Sequence, residues 1–166
     1  CLFYIEMSKY YLGIMCGTSL DSIDVSIASI TSTKMKVRSF NEYKLSKDLK
    51  RQINLAKKNN RSIKILSKIS ADVTNLVCEC IKDILSKNKL THKDIDALGF
   101  PGITLNHRPD LKISTFIGDA ALLAKKLKIR VIADFRQTDI DAGGQGAPLT
   151  GKFHQYLNEI TKKNLT

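Results

Sequence analysis

Apolar and polar positions along this chain change period several times, and the changes divide it into elements. The run from Tyr10 to Met15 suits a buried strand. Over 23–30, Ile23, Val25 and Ile27 alternate with Asp24, Ser26 and Ala28, which suits a strand returning beside the first. A third strand is expected near 35–45. The spacing then lengthens to three and four residues. Leu49, Ile53 and Ala56 line one face of a helix whose Lys57-Lys58-Asn59-Asn60 end reads as solvated. Ser62 is read as the cap of a second helix, in which Ile63, Leu66, Ile69, Val73, Leu76, Val77, Cys80, Ile81 and Ile84 form a long core-facing stripe. A short apolar run over 95–98 follows. After Gly118-Asp119 a helix is expected over 120–127 and a buried strand over 131–133. A last helix is expected over 148–157, with Pro148 in its first turn. Strands and helices therefore interleave, which predicts an α/β fold, and no internal repeat or low-complexity linker interrupts it.

The segments between these elements carry the candidate chemistry. Gly17-Thr18-Ser19-Leu20-Asp21 falls at the turn of the first hairpin. A glycine lets backbone N–H groups approach an anion, the two hydroxyls add donors, and Asp21 is a candidate Mg²⁺ ligand, directly or through water. The same residue types are also ordinary turn vocabulary, so both readings stand at this point. Asp141-Ala142-Gly143-Gly144-Gln145-Gly146-Ala147-Pro148-Leu149 concentrates three glycines before the last expected helix. Gly99-Phe100-Pro101-Gly102-Ile103-Thr104 follows another apolar run. Three such loops at strand ends suggest a single cleft.

Charge adds a competing reading. The formal net charge is +11, which invites a nucleic-acid partner. Of the 27 basic residues, however, only Arg38, Arg51, Arg61, Arg108, Arg130 and Arg136 are arginines. The rest are dispersed lysines, and no aromatic residue alternates with a basic cluster, so nucleic-acid binding is disfavoured. Cys1, Cys16, Cys78 and Cys80 form no disulfide framework, and His92, His107 and His154 lack ligand spacing for zinc. The apolar start, Cys1 to Ile5, is too short for a signal peptide or a membrane span, and a cytoplasmic location is expected.

Four ordered segments together resemble a known family. These are Met15-Cys16-Gly17-Thr18-Ser19-Leu20-Asp21-Ser22-Ile23-Asp24, Ile117-Gly118-Asp119-Ala120-Ala121-Leu122-Leu123-Ala124, Val131-Ile132-Ala133-Asp134-Phe135-Arg136, and Ala142 to Leu149. They resemble the N-terminal part of the anhydro-N-acetylmuramic acid kinases, bacterial sugar kinases of the actin-like ATPase superfamily. The resemblance implies a ribonuclease H-like lobe, a mixed sheet with flanking helices, as one half of a two-lobe kinase. It also implies phosphorylation of 1,6-anhydro-N-acetylmuramic acid by ATP with Mg²⁺, opening of the anhydro bridge and release of N-acetylmuramic acid 6-phosphate, a step in cell-wall recycling. Gly17, Thr18, Ser19, Leu20, Asp21, Ser22, Ile23 and Asp24 would then receive the nucleotide phosphates. Thr104, Arg136 and Gly146 would face the sugar.

Departures from the family pattern set further expectations. Pro101 and Ile103 stand where the family carries His and Gln, removing two polar side chains and a backbone donor. Ser22 replaces a glycine and would be strained if that position needs a positive φ. The resemblance puts the catalytic base and the adenosine-binding segments in a second lobe beyond Thr166, so no catalytic base is assigned; Asp134, Asp139 and Asp141 read instead as caps or turn residues. Residues 1–6 are expected to be an upstream extension, with the lobe spanning 7–166 and beginning at Met7. A lobe without its partner should expose an apolar face that a missing C-terminal lobe or a second copy would cover. The alternative to an active kinase is a catalytically dead remnant of one.

Overall fold

In a computed structural model, residues 9–31, 34–58 and 62–163 are described; Cys1, Met7, Asn59 and Asn60 lie outside them. Three strands, β1 (Tyr10–Met15), β2 (Ser22–Ile30) and β3 (Met35–Lys44), form an antiparallel meander. Helices α1 (Lys47–Lys58) and α2 (Ile63–Lys87) follow, and then β4 (Ile95–Phe100), which pairs parallel to β1. A hairpin of β5 (Ile103–Arg108) and β6 (Ile113–Ile117) stands apart as its own two-stranded sheet. The chain continues through α3 (Ala120–Leu127), β7 (Val131–Ala133), α4 (Phe135–Asp141) and α5 (Gly151–Lys163). The main sheet runs β3-β2-β1-β4-β7, an antiparallel trio extended by two parallel strands. This mixed sheet with flanking helices is the ribonuclease H-like lobe of the actin-like ATPases that the resemblance implies.

Alternation decides which side of the sheet is covered. Leu12 is in register with Ile27 on one neighbour and Leu98 on the other, and Ile14 with Val25. All five are buried with Ile53 of α1 and Ile69, Val73, Val77, Ile81 and Ile84 of α2. On the opposite side Gly13 is in register with Ser26 and Gly99, and Gly99 with Ile132, leaving a strip with little side-chain bulk. Met15, Phe40 and Ile132 are about half exposed, at 52%, 56% and 49%. An open apolar face is what the sequence led one to expect.

The junction of β6 with α3 is fastened to α2 by two side chains one helical turn apart. Gly118 N donates to Ser70 Oγ at 3.0 Å, and Asp119 N donates to Thr74 Oγ1 at 2.9 Å. Thr74, fully buried, donates in turn to the Ser70 carbonyl at 2.7 Å. Asp119 caps α3 by accepting from Leu122 N at 2.8 Å.

Several expectations need correction. Ile63 is 83% exposed, because α2 begins before it reaches the core; the buried stripe starts at Ile69. Ser62 occupies the N-cap position of α2, but its side chain makes no capping bond. The strand 131–133 is not buried; it is the short edge of the sheet. Pro148 is not in the first turn of the last helix, which begins at Gly151, and the Ala147–Pro148 peptide is cis. Finally, Ser22 lies in β2, and the positive φ of this turn, 59°, falls on Leu20.

Candidate functional site

Because β1, β4 and β7 are parallel, the turn after β1, the turn after β4 and the start of α4 all leave the sheet at one end. This end, where parallel strands finish, is where α/β sheets commonly bind ligands. The first of these segments is a tight turn in which Leu20 N donates to Gly17 O at 3.0 Å. Leu20 has its side chain fully buried, as does Ile23, so both contribute to any ligand through the main chain alone. Gly17, Thr18, Ser19 and Asp21 are exposed, while Ser22 and Asp24 are half-buried on β2, where Ser22 Oγ donates to Asp24 Oδ1 at 2.7 Å.

Lys50 of α1 donates to Asp21 Oδ1, although both side chains stay open to water, at 38% and 71% exposure. The hydrogen bond from Lys50, then one from Ser19, then the Lys50 charge hold the Asp21 carboxyl below its ordinary value. It is therefore ionised at neutral pH. Burial pushes the neighbouring Cys16 thiol up to about 11, against the pull of Lys57, which leaves it protonated and a poor nucleophile. Among the described residues, no group of three or more His, Cys, Asp or Glu converges as a metal cage. One exposed carboxylate is nonetheless a usual protein contribution to Mg²⁺ held beside a nucleotide, with water and phosphate oxygens completing the shell. The donor set at Asp21 fits Mg²⁺ in that form.

The second cluster joins the β5–β6 hairpin to α4 and the glycine loop. Arg136 Nη1 donates to the Gly146 carbonyl at 2.6 Å, and Gly146 N donates to Asp139 Oδ2 at 2.7 Å, so the two peptide units flanking Gly146 are both gripped from α4. Gly146 has φ of 69°, and a Cβ there would lie 3.0 Å from the Arg136 carbonyl and from His107 Cε1. Only glycine fits that conformation at that distance. Gln137 accepts from Ser114 N at 3.0 Å and donates to the Lys112 carbonyl and to Asp141, tying α4 to the hairpin. His107 Nδ1 lies 3.4 Å from Ser114 Oγ. The remaining feature is Arg136 Nε, which is buried without a hydrogen-bond partner. An orphaned buried donor of this kind calls for an acceptor.

The family model for anhydro-N-acetylmuramic acid kinase matches residues 9–165. The chain belongs to the anhydro-N-acetylmuramic acid kinase family. Among curated relatives of that name, the protein from Hydrogenovibrio crunogenus is 36% identical over 151 residues, covering 90% of this chain and 41% of the relative. The one from Sulfurimonas denitrificans is 35% identical over 153 residues, covering 91% and 42%. That from Methylobacterium nodulans is 37% identical over 164 residues, covering 88% and 44%. The chain thus spans less than half the length of the relatives it matches.

Within this family frame, the structure joins Arg136 and Gly146 directly, while Thr104 enters through the hairpin, paired with Phe116 three positions before His107 on β5. Asp139 and Asp141 accept from the Gly146 N–H and from Gln137, and neither caps a helix. Asp134 has φ of 64° and precedes α4 without a side-chain capping bond. Two participants gave no sequence signal. Lys50 sits among many dispersed lysines, and Gln137 lies on a helix with no apolar stripe to reveal it. At the middle turn, Gly102 has φ of 68°, with Phe116 packed where its Cβ would be, at 2.3 Å. Ile103 is 3% exposed and points into the core, so the position that holds Gln in the family pattern does not face a ligand here.

Proposed function

We propose that this chain is the phosphate- and sugar-binding lobe of a kinase that uses ATP to phosphorylate 1,6-anhydro-N-acetylmuramic acid, giving N-acetylmuramic acid 6-phosphate as water opens the anhydro bridge. The observation that carries the reading is the pairing, at one end of the sheet, of the exposed Gly17–Asp21 turn with a gripped glycine loop beside the unpartnered Arg136 Nε. In this family the relatives are named as kinases of that sugar, which supports the substrate.

The residues divide the work by their chemistry. Main-chain N–H groups of the turn, with Thr18 and Ser19, would bind phosphate oxygens, and Ser22 would keep Asp24 oriented. Asp21 would hold Mg²⁺, directly or through water, and the ion would supply charge that offsets that of the phosphates. Arg136 Nε would donate to a sugar oxygen, with Gly146 fixing the loop and Thr104 on the hairpin adding a hydroxyl. Asp139 and Asp141 are engaged within α4 and its loop, and the base that activates water is the one the family resemblance places in a second lobe. Among the described residues no helix is long and apolar enough to cross a membrane. Cys16, Cys78 and Cys80 are free thiols, which accords with a cytoplasmic setting.

The competing reading, a remnant that no longer binds sugar, is favoured by Pro101 and by the inward-facing Ile103. Titration calorimetry with Mg-ATP, then with the anhydro sugar, separates the two. The kinase-lobe reading expects saturable Mg-ATP binding that weakens about tenfold or more in Asp21→Asn, as a charged metal contact is lost, and sugar binding lost in Arg136→Ala. ATP binding without sugar binding would establish the remnant, and binding of neither would overturn the kinase-lobe reading.

A further inference from the structure

A hollow of about 510 Å³ lies between the C-terminal ends of α2 and α3. His92, on its wall, leads into β4, and Lys128 comes shortly before β7. The hollow is therefore at the end of the sheet where the parallel strands begin, opposite the glycine loops. Its floor is apolar: Leu85 and Leu127 are 7% exposed, and Leu90 is half-buried. Its rim is cationic, formed by Lys82, Lys126 and Lys128, and no carboxylate lines it.

Local structure explains how lysines of two helices come to line one hollow. Lys126 Nζ donates to Asn75 Oδ1 at 2.5 Å, which draws it across to α2. Asn75, Lys82 and Ser86 follow one another at seven and four residues, a single stripe of that helix. The Cys78 thiol lies on the same side. Burial raises its pKa, and Lys126 and Lys82 are the next influences, both lowering it. Of the nearby acids, Asp83 is committed to Tyr43 and Lys87, and Asp94 to its capping box with Thr91, while Glu79, three residues before Lys82 on the same stripe and close enough to act on Cys78, is outside the lining of the hollow. Lysines at helix C-termini offset the helix dipole, which accounts for one cation on each helix. It does not account for three lysines lining one hollow around a leucine floor.

The geometry points to a binding site for a compact oligophosphate in this basin, either the phosphate chain of a nucleotide or free inorganic polyphosphate, separate from the glycine-loop end. Charges gathered around one hollow match a compact anion better than an extended duplex, which needs cations tracking successive phosphates. Ser86 and His92 add polar contacts, and the leucine floor is where an attached organic group would rest.

The test is titration calorimetry of the whole chain with sodium tripolyphosphate, and separately with ATP, at low salt and without Mg²⁺. Saturable tripolyphosphate binding is expected. It should persist in Gly17→Val, which hinders anion approach at the turn, and weaken about tenfold or more in Lys82→Glu/Lys128→Glu, through the loss and reversal of two nearby charges. Lys126→Gln, a milder change, should give an intermediate loss, so the result does not hang on the folding of the double variant, which circular dichroism checks. Tighter binding of ATP than of tripolyphosphate would assign the floor to a nucleoside, whereas equal binding would assign the site to the phosphates alone. The proposal is overturned if the parent chain shows no binding, if the lysine variants bind as the parent does, or if a short DNA duplex binds more tightly and is lost in the same variants.

Discussion

At position 103 the fold and the family chemistry ask for different side chains. Ile103 pairs in register with Ile117, and both are 3% exposed within the core. A glutamine there would bury an amide with no partner arranged for it. Ile103→Gln should therefore lower stability by about 1–3 kcal/mol, read as a reduced urea midpoint with an unchanged denaturant slope. A variant as stable as the parent would mean that the position can turn outward to meet a ligand. The turn after β1 shows the same contest resolved by burial. A left-handed backbone at a non-glycine residue costs on the order of 1–2 kcal/mol, and full burial of a leucine returns roughly 1.5–3 kcal/mol. Leu20, fully buried with φ of 59°, can therefore carry the strain that the sequence pattern placed at Ser22. Residue types alone located the turn, but tertiary burial chose which residue is left-handed, and that choice has no local signature.

Among elements, the docking of α3 on α2 depends on the hydroxyl of Thr74, which serves as acceptor for Asp119 N and donor to the Ser70 carbonyl. Valine has nearly the same shape and neither function. Thr74→Val should cost about 1–3 kcal/mol, because it leaves a main-chain N–H near the core unpaired. Amide exchange should show the loss concentrated at Gly118–Leu122, and protection unchanged there would refute the role. This fastening was not legible in the sequence, where Thr74 is one polar residue within a long apolar stripe. What was legible had strong periodicity: the β1–β2 alternation, the buried face of α1, the stripe of α2 from Ile69 onward, and α3. What was missed lacked it. Helix α4 has seven residues with Ile140 as its buried member, and the β5–β6 hairpin is interrupted by a short 3₁₀ turn over Pro109–Leu111 with a left-handed Lys112 beyond it. The candidate site divides along the same line. Its glycines and Asp21 announce themselves by type and position and Arg136 through the family resemblance, whereas Lys50 and Gln137 matter only because folding brings α1 to the turn and α4 to the hairpin.

For the whole molecule, the uncovered face of the sheet and the net charge act against each other. Met15, Phe40 and Ile132 flank the Gly13 and Gly99 strip, a concentration of apolar surface that favours association. The formal charge of +11 keeps copies apart as long as its field extends from one to the next. That field reaches about 30 Å at 0.01 M ionic strength and about 3 Å at 1 M. Association should accordingly rise with added salt, the reverse of the salt dependence expected for oligophosphate binding at the lysine basin. Sedimentation velocity across a salt series would show the change, and Phe40→Lys together with Ile132→Lys should suppress it while leaving the circular dichroism spectrum intact. Both side chains point away from the core, so their replacement removes apolar area without opening a cavity. If the double variant associates as the parent does, the contact lies elsewhere on the surface, and the open sheet face is not what draws the copies together.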